Sequence, residues 1–249
     1  MTINSILSTT QLPPLNIRVL LSVIIGKDAS YLVARPEHEL SENETQKWET
    51  WSRRAQSGEP IAYIVNKQEF YGYDFYVDNR VLIPRPETEE LIDKAKVWIQ
   101  NHPHRNKISI LELGTGSGAV TIALVQEVLK LNLTKKHSFN FIATDVSPDA
   151  LNVAKKNAAS HGVFNHITFL QGNLFEPVSS IKFDIILANL PYVPTEESQT
   201  NRFEPQLALD GGNNGTKINE QLLTKYSSHL NEGGILIYEK YNGSIENLT

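Results

Sequence analysis

The sequence predicts an α/β fold in which a mostly parallel sheet carries helices on both faces. From Lys107 onward, short apolar segments alternate with segments of helical periodicity, which is the pattern of parallel sheets. A glycine-rich turn follows the first of these apolar segments. The residues before 61 show helical periodicity instead. We therefore expect a helical domain at 1–60, a hairpin connector at 61–87 and a sheet-containing domain at 88–249.

Two helices are predicted in the first region. The apolar periodicity from Leu15 to Ile25 indicates one of them. Ser41 stands three residues before Glu44, which is the spacing of a capping box, so a second helix should begin there and end near Gly58.

The connector is rich in aromatic and β-branched residues. Between Ile61 and Val81 this composition predicts a hairpin whose turn lies at 72–74. The prolines at 84 and 86 exclude a helix over Ile83–Pro86. Helical spacing returns from Thr88 to Asn101.

The third region contains five predicted strands with helices between them. Helices are expected at 120–131, 147–161 and 217–229, and a long loop at 189–215. The strands are expected at 108–113, 139–144, 167–170, 183–188 and 234–238. Parallel sheets bind ligands outside the carboxyl ends of their strands, so the functional residues are expected there.

Composition excludes several classes of protein. The 249 residues include no cysteine, which rules out disulfides, thiolate metal sites and a cysteine nucleophile. The seven histidines are scattered without metal-ligand spacing, so no metal is expected. A net charge of -5 argues against affinity dominated by nucleic-acid phosphates. No apolar run approaches the roughly 18 residues of a membrane span, and the first residues lack a secretory signal, so a cytoplasmic location is expected.

The turn after the first predicted strand points to a nucleoside-bearing cofactor. Its G-x-G-x-G spacing differs from the G-x-G-x-x-G of dinucleotide folds. Asp145 ends the second predicted strand, where a carboxylate can accept hydrogen bonds from ribose hydroxyls. The alternatives are a plain glycine-rich turn and a carboxylate that only favours the following helix. The candidate cofactor-binding residues of the turn are Glu112, Gly114, Thr115, Gly116, Ser117 and Gly118.

The segment after the fourth predicted strand is the candidate catalytic site. An amide nitrogen is a poor nucleophile because its lone pair is delocalised. The Asn189 side-chain oxygen and the Leu190 carbonyl could each accept one of its N–H groups and hold it for methyl transfer. Pro191 completes the turn, and Tyr192 could stack on the planar group. The alternative is a structural turn with a buried tyrosine.

Several segments together resemble a known family. The glycine loop, Asp145 and the Asn-Leu-Pro-Tyr segment resemble class I S-adenosylmethionine-dependent methyltransferases that act on nitrogen. Four further segments resemble the HemK-type peptide chain release factor N5-glutamine methyltransferases: GEPIAYI from Gly58, EFYGYDF from Glu69, LIPRPETEEL from Leu82 and EPQLALDGG from Glu204.

The resemblance implies a Rossmann-like fold, S-adenosylmethionine as cofactor and a class I release factor as protein substrate. The methylated group would be the glutamine of its Gly-Gly-Gln tripeptide, with the N-terminal helices docking the factor. The glycine loop would hold the methionine end of the cofactor and Asp145 the ribose. Asn173 and Leu174 would hold the adenine, and Asn189 with Leu190 the substrate amide.

Three departures from the family pattern are visible. Leu190 replaces a proline, which keeps the carbonyl but loses a stiffening ring. Asn173 stands where many relatives carry an acid. The family fold continues beyond its fifth strand with a helix and two more strands, whereas this chain stops at Thr249. We therefore expect the last two of seven strands to be missing and the strand from Gly234 to be an uncovered edge.

Two other functions fit the same motifs. The first is methylation of an amino group of a nucleic-acid base, which would be flipped into the cleft. The second is a protein that binds the cofactor or the release factor without turnover. The negative net charge and the release-factor motifs favour the glutamine methyltransferase.

Overall fold

The computed structural model describes residues 1–241 and 243–249. The chain folds into two compact units, Met1–Lys67 and Gln68–Thr249. The domain limits at 60 and 87 drawn from the sequence stay predictions.

The first unit is helical, as predicted. Ser41 and Glu44 form the expected capping box, in which the Ser41 N–H donates to Glu44 Oε2 over 2.8 Å. Apolar side chains of successive helices, among them Ile17, Leu20 and Trp48, form its core. The helices are α1 (Ile3–Thr9), α2 (Pro14–Ile25), α3 (Ala29–Ala34), α4 (Glu42–Gln56) and α5 (Ile61–Val65).

The predicted hairpin is present, but its strands cover fewer residues than the segment Ile61–Val81 from which it was predicted. Ile61–Val65 form α5 instead of extended chain, and β1 (Gln68–Phe70) pairs antiparallel with β2 (Tyr73–Phe75). The turn lies at Tyr71 and Gly72 rather than at 72–74, and both residues have positive φ, 53° and 76°. Two central residues of positive φ match the twist of hairpin strands, which explains the position of the glycine.

A six-stranded sheet forms the centre of the second unit. Its strand order is β5-β4-β3-β6-β7-β8, and every pair except the last is parallel. The strands are β3 (Lys107–Leu113), β4 (Ser138–Asp145), β5 (Ile167–Gln171), β6 (Phe183–Ala188), β7 (Leu230–Glu239) and β8 (Ile245–Leu248). The helices are α6 (Glu89–Asn101), α7 (Ala119–Lys130), α8 (Pro148–Ser160), α9 (Thr195–Ser198), α10 (Gln206–Leu209) and α11 (Lys217–Lys225). The α/β class and the five predicted strands are confirmed.

Both faces of this sheet are buried. Side chains alternate between the faces of a strand, so Ile110 joins one core cluster and Leu111 the other. The first cluster includes residues of α6 and α7, and the second includes Leu222 of α11. Strands that are buried on both faces explain the continuous apolar runs in the sequence.

The expectations that both strands after the fifth are missing and that the strand from Gly234 is an uncovered edge are wrong, because β8 forms a sixth strand. β8 pairs antiparallel with the end of β7, with Leu248 opposite Leu236 and Ile245 opposite Glu239. The Tyr238 hydroxyl also donates to Glu246 Oε2 over 2.6 Å, and burial raises the pKa of Tyr238 to about 12. This four-residue strand has two adjacent polar residues, Glu246 and Asn247, and so lacks the alternating pattern of a half-buried strand. No strand was predicted from its residues alone.

The long predicted loop contains the two short helices α9 and α10. Within residues 1–241 and 243–249, no helix combines the length and apolarity needed to span a membrane. The same residues hold no cluster of histidine and acidic side chains suited to a metal ion.

Candidate functional site

A cavity of about 530 Å³ opens at the carboxyl ends of β3, β4 and β6. It gathers nearly all of the residues that the sequence analysis selected. Gly118 and Tyr192 are the two selected residues outside its described lining. The selected residues that line it are Glu112, Gly114, Thr115, Gly116, Ser117, Asp145, Asn173, Leu174, Asn189, Leu190 and Pro191.

Two glycines of the loop after β3 serve different purposes. Gly116 has a φ of 54°, and no described atom beyond its chain neighbours lies within 4 Å of the place where a Cβ would stand. The backbone is therefore open to a ligand at Gly116. A Cβ on Gly118 would instead lie 2.9 Å from Ile122 Cδ1 and 3.1 Å from Ala154 Cβ. Gly118 allows close packing of α7 against α8 and does not line the cavity.

Asp145 fixes this loop from the end of the neighbouring strand. Its Oδ2 accepts the Gly116 N–H over 2.8 Å, and its Oδ1 accepts the Ser147 N–H over 2.9 Å. Burial raises the pKa of Asp145, and these backbone donors oppose that rise. The cap of α8 is the Ser147 hydroxyl, not Asp145. Each carboxylate oxygen has a second lone pair, so Asp145 can still accept from a ligand.

Glu112 lies beneath the loop and is only 4% exposed. Its Oε2 accepts the Thr115 hydroxyl over 2.6 Å, the Thr121 N–H over 3.2 Å and the Thr121 hydroxyl. Burial nevertheless raises the pKa of Glu112 to about 7. The side chain thus connects the end of β3 to the first turns of α7.

We expect Glu112 to make stability depend on pH. Because its pKa is higher in the folded protein than in the unfolded chain, the free energy of unfolding should fall as pH rises from about 4.5 to about 7. Glu112→Gln should remove about 2 kcal/mol of this fall between about pH 5 and about pH 7. Urea denaturation of both proteins at the two pH values measures it. Equal pH dependence in the two would contradict the assignment.

Asn189 follows β6, and its side chain is held by a residue that the sequence analysis did not select. Its Nδ2 donates to Thr88 Oγ1 over 2.8 Å, and the Thr88 hydroxyl donates to Glu239 Oε2 over 2.7 Å. The Tyr192 hydroxyl donates to Glu239 Oε1 over 2.7 Å. A signal for both missed residues existed, since Thr88 lies in the PRPETE segment and Glu239 directly follows a predicted strand.

Leu190 is buried, with 5% of its surface exposed, and belongs to the second core cluster of the sheet. A Cβ on Gly114 would lie 3.0 Å from Leu190 Cδ2, so the leucine packs directly against the glycine loop. From the sequence, the expected effect of Leu190 was the loss of a stiffening proline ring. Packing supplies a restraint on this backbone that the sequence did not indicate.

Leu190→Pro tests that packing. The ring stiffens the carbonyl, but the substitution removes part of a buried side chain, so the free energy of unfolding should fall by about 1–2 kcal/mol. Activity per folded molecule should stay equal or rise. Urea denaturation and an initial-rate assay on the same preparation measure both. A variant more stable than the parent would show that Leu190 contributes no packing energy here.

Asn173 and Leu174 follow β5 at another wall of the cavity. Leu174 is 7% exposed and has a φ of 47°. Positive φ is uncommon for leucine and is tolerated only where the surroundings enforce it. The conformation places both residues on the cavity wall.

Arg85 has a partner that was not predicted. Its guanidinium contacts Glu204 Oε2 at 2.7 Å, and Glu204, which is 6% exposed, also accepts the Ile83 N–H over 3.2 Å. Arg85 and the neighbouring Pro205 both line the cavity. The pair therefore connects the PRPETE segment to the EPQLAL segment at the cavity wall.

Comparison with known proteins gives matches along most of the chain. Residues 104–248 match a family model described as a methyltransferase domain, and residues 3–65 match one described as a PrmC N-terminal domain. A release factor glutamine methyltransferase of Aliivibrio fischeri is 38% identical over 232 residues, covering 91% of this chain and 77% of that protein. One of Koribacter versatilis is 35% identical over 236 residues, covering 92% and 80%. A bifunctional methyltransferase of Rickettsia bellii is 34% identical over 255 residues, covering 91% and 44%.

Proposed function

This chain belongs to the release factor glutamine methyltransferase family, and we propose that it methylates the side-chain nitrogen of the glutamine in the Gly-Gly-Gln tripeptide of class I release factors. The resemblance carried by the sequence motifs is thereby confirmed at the level of the family. The chain is a methyltransferase, and its proposed cofactor is S-adenosylmethionine.

One observation carries the proposal. The groups suited to a nucleoside cofactor and the groups suited to a planar amide line the same cavity. Asp145 and the Gly116 backbone lie at the ends of β4 and β3, and Asn189 follows β6, which pairs with β3. A donor molecule and an acceptor amide held by these residues would meet within one enclosed space, as a transfer reaction requires.

The cavity residues fit the proposed cofactor. Asp145 keeps acceptor capacity for two ribose hydroxyls, and the open backbone at Gly116 leaves room for a ligand. The volume of about 530 Å³ lies within the range of cofactor pockets. Leu174 and Asn173 offer an apolar surface and an amide on the wall proposed for the adenine. When bound, S-adenosylmethionine supplies a methyl group on a positively charged sulfur.

The contribution of Asn189 and Leu190 is orientation of the substrate amide. The Asn189 Nδ2 is engaged by Thr88, so its Oδ1 is the atom left to accept an N–H of the substrate. With the Leu190 carbonyl accepting the other N–H, the nitrogen would be fixed in position and would gain nucleophilic character as it loses planarity. Such preorganised acceptors contribute most when they strengthen in the transition state.

The protein substrate needs a docking surface as well as a cavity. We assign that role to the helical residues 1–60, nearly all of which lie in the segment 3–65 that matches the PrmC N-terminal domain. Residues 88–249 would carry out the transfer.

Incubation of the chain with methyl-labelled cofactor and a purified class I release factor tests the function. One glutamine should be labelled, and mass spectrometry of the tripeptide should locate the methyl group on its side-chain nitrogen. A release factor with that glutamine changed to alanine is the matched control and should stay unlabelled.

Two outcomes would overturn the proposal. Label found only in added nucleic acid would identify a base methyltransferase, whose binding should weaken steeply with salt. Cofactor or release-factor binding in calorimetry without any methylated product would identify a binding protein. Multiple turnovers on the release factor exclude the second outcome.

A further inference from the structure

Three residues from separate parts of the chain form a hydrogen-bonded series beside the cavity. Asn189 follows β6, Thr88 precedes α6, and Glu239 ends β7. β6 and β7 are parallel neighbours with Ala188 opposite Tyr238, so Asn189 and Glu239 are each one residue beyond that pair. Asn189 Nδ2 lies 2.8 Å from Thr88 Oγ1, which lies 2.7 Å from Glu239 Oε2.

The series has a fixed direction because its last member only accepts. An ionised carboxylate has no proton to donate, so Glu239 requires the Thr88 hydroxyl to point its hydrogen away from Asn189. The Thr88 oxygen then presents only lone pairs to Asn189, which must offer its NH2 group. The amide oxygen of Asn189 is consequently turned away from Thr88 and is available to the cavity.

Glu239 is a buried acid whose carboxylate accepts the Thr88 hydroxyl. The side chain is 1% exposed, and burial of a carboxylate costs free energy unless donors compensate for the lost water. Two hydroxyls do so, from Thr88 and from Tyr192. Thr88 contacts Asn189, and Tyr192 lies three residues after Asn189 in the same segment. The buried acid is therefore connected to that segment at two points.

We propose that Thr88 and Glu239 are positioning residues that hold the Asn189 side chain with its oxygen toward the substrate amide. This inference rests on the proposed function, in which Asn189 accepts an N–H of that amide. Without the series, the Asn189 NH2 group could face the cavity and oppose the N–H of the substrate. In this role the two residues act through Asn189. Thr88 also lines the cavity, whereas Glu239 is not among its described lining residues.

Thr88→Val with Thr88→Ser as its matched control tests the proposal. Valine keeps the shape but leaves the Asn189 NH2 group without a partner, so the orientation with the amide oxygen inward loses its advantage. We expect kcat on a release factor to fall about 10-fold, as for neighbours that share a network. KM and cofactor affinity should change little. Serine keeps the hydroxyl and should restore most of the activity.

A double-variant cycle separates positioning from a structural role. In single-turnover assays with excess enzyme, Thr88→Val added to Asn189→Ala should change the rate by less than about twofold, because the group being positioned is gone. Glu239→Gln should, like Thr88→Val, lower the rate when Asn189 is present and change it by less than about twofold when Asn189 is replaced by alanine. Its amide can donate to Thr88, which frees the Thr88 hydroxyl to donate to the Asn189 oxygen and so blocks that acceptor.

The outcomes distinguish this inference from the proposed function. A normal rate for Thr88→Val beside an impaired Asn189→Ala overturns only the positioning role. The same fall for Thr88→Val with and without Asn189 also overturns it, since that fall would be structural. A normal rate for Asn189→Ala overturns both proposals, because nothing would then need positioning.

Discussion

Asn189→Ala should lower kcat on a release factor by about two to three orders of magnitude, equivalent to roughly 3–4 kcal/mol of transition-state stabilisation. The reason is the orientation of the side chain. Thr88 engages Nδ2, so Oδ1 is the acceptor that alanine removes. The contact strengthens as the substrate nitrogen loses planarity, so its loss should reduce kcat more than it raises KM.

Cofactor binding provides the control for this variant. Asp145 and the glycine loop are unchanged, so the cofactor dissociation constant measured by calorimetry should stay within about twofold. Asn152→Ala, on the exposed side of α8, removes the same amide elsewhere and should keep normal kcat. If Asn189→Ala binds cofactor normally and also turns over normally, Asn189 is not part of the catalytic site.

Asp145→Ala should have the opposite effect and weaken cofactor binding by about 10- to 150-fold, or about 1.5–3 kcal/mol. Two lost interactions contribute to this weakening of cofactor binding. The carboxylate that would accept ribose hydroxyls disappears, and the backbone N–H groups of Gly116 and Ser147 lose their acceptor. Without these hydrogen bonds the glycine loop would be ordered only when the cofactor binds, and the free energy of that ordering would reduce the affinity.

Asp149→Ala is the matched control for the lost charge. Asp149 is an exposed acid in the first turn of α8, four residues from Asp145. Its removal should leave the dissociation constant unchanged within about twofold, since exposed charges are screened. Saturating cofactor should recover much of the kcat of Asp145→Ala. An unaltered dissociation constant for Asp145→Ala would remove Asp145 from the cofactor site.

The residues of the site differ in whether a local sequence pattern could identify them and their partners. Asp145, Glu112 and the glycines lie at or just after the ends of β3 and β4, and they were found because the strand-turn-helix pattern marks such positions in any chain. Thr88 and Glu204 lie in segments that the family resemblance marked, but their partners are 151 and 119 residues away, at Glu239 and Arg85. A pattern within a short window has no information about such pairs.

Local patterns in the amino-acid sequence predict the α/β class, the helical first unit, the five parallel strands and the position of the glycine loop and Asp145. Each of these follows from local propensity and from the period of apolar residues, which act within one element. The same local signals were insufficient for Ile61–Val65, which form a helix within a strand-like composition.

Contacts between side chains of different elements could not be predicted from local sequence. The pairing of β8 with β7, the packing of Leu190 against Gly114 and the series from Asn189 to Glu239 all join residues from different elements. Burial is the physical reason. A polar group that the fold removes from water is stabilised by a partner within hydrogen-bond distance, and the fold, not the local sequence, determines which partner is there.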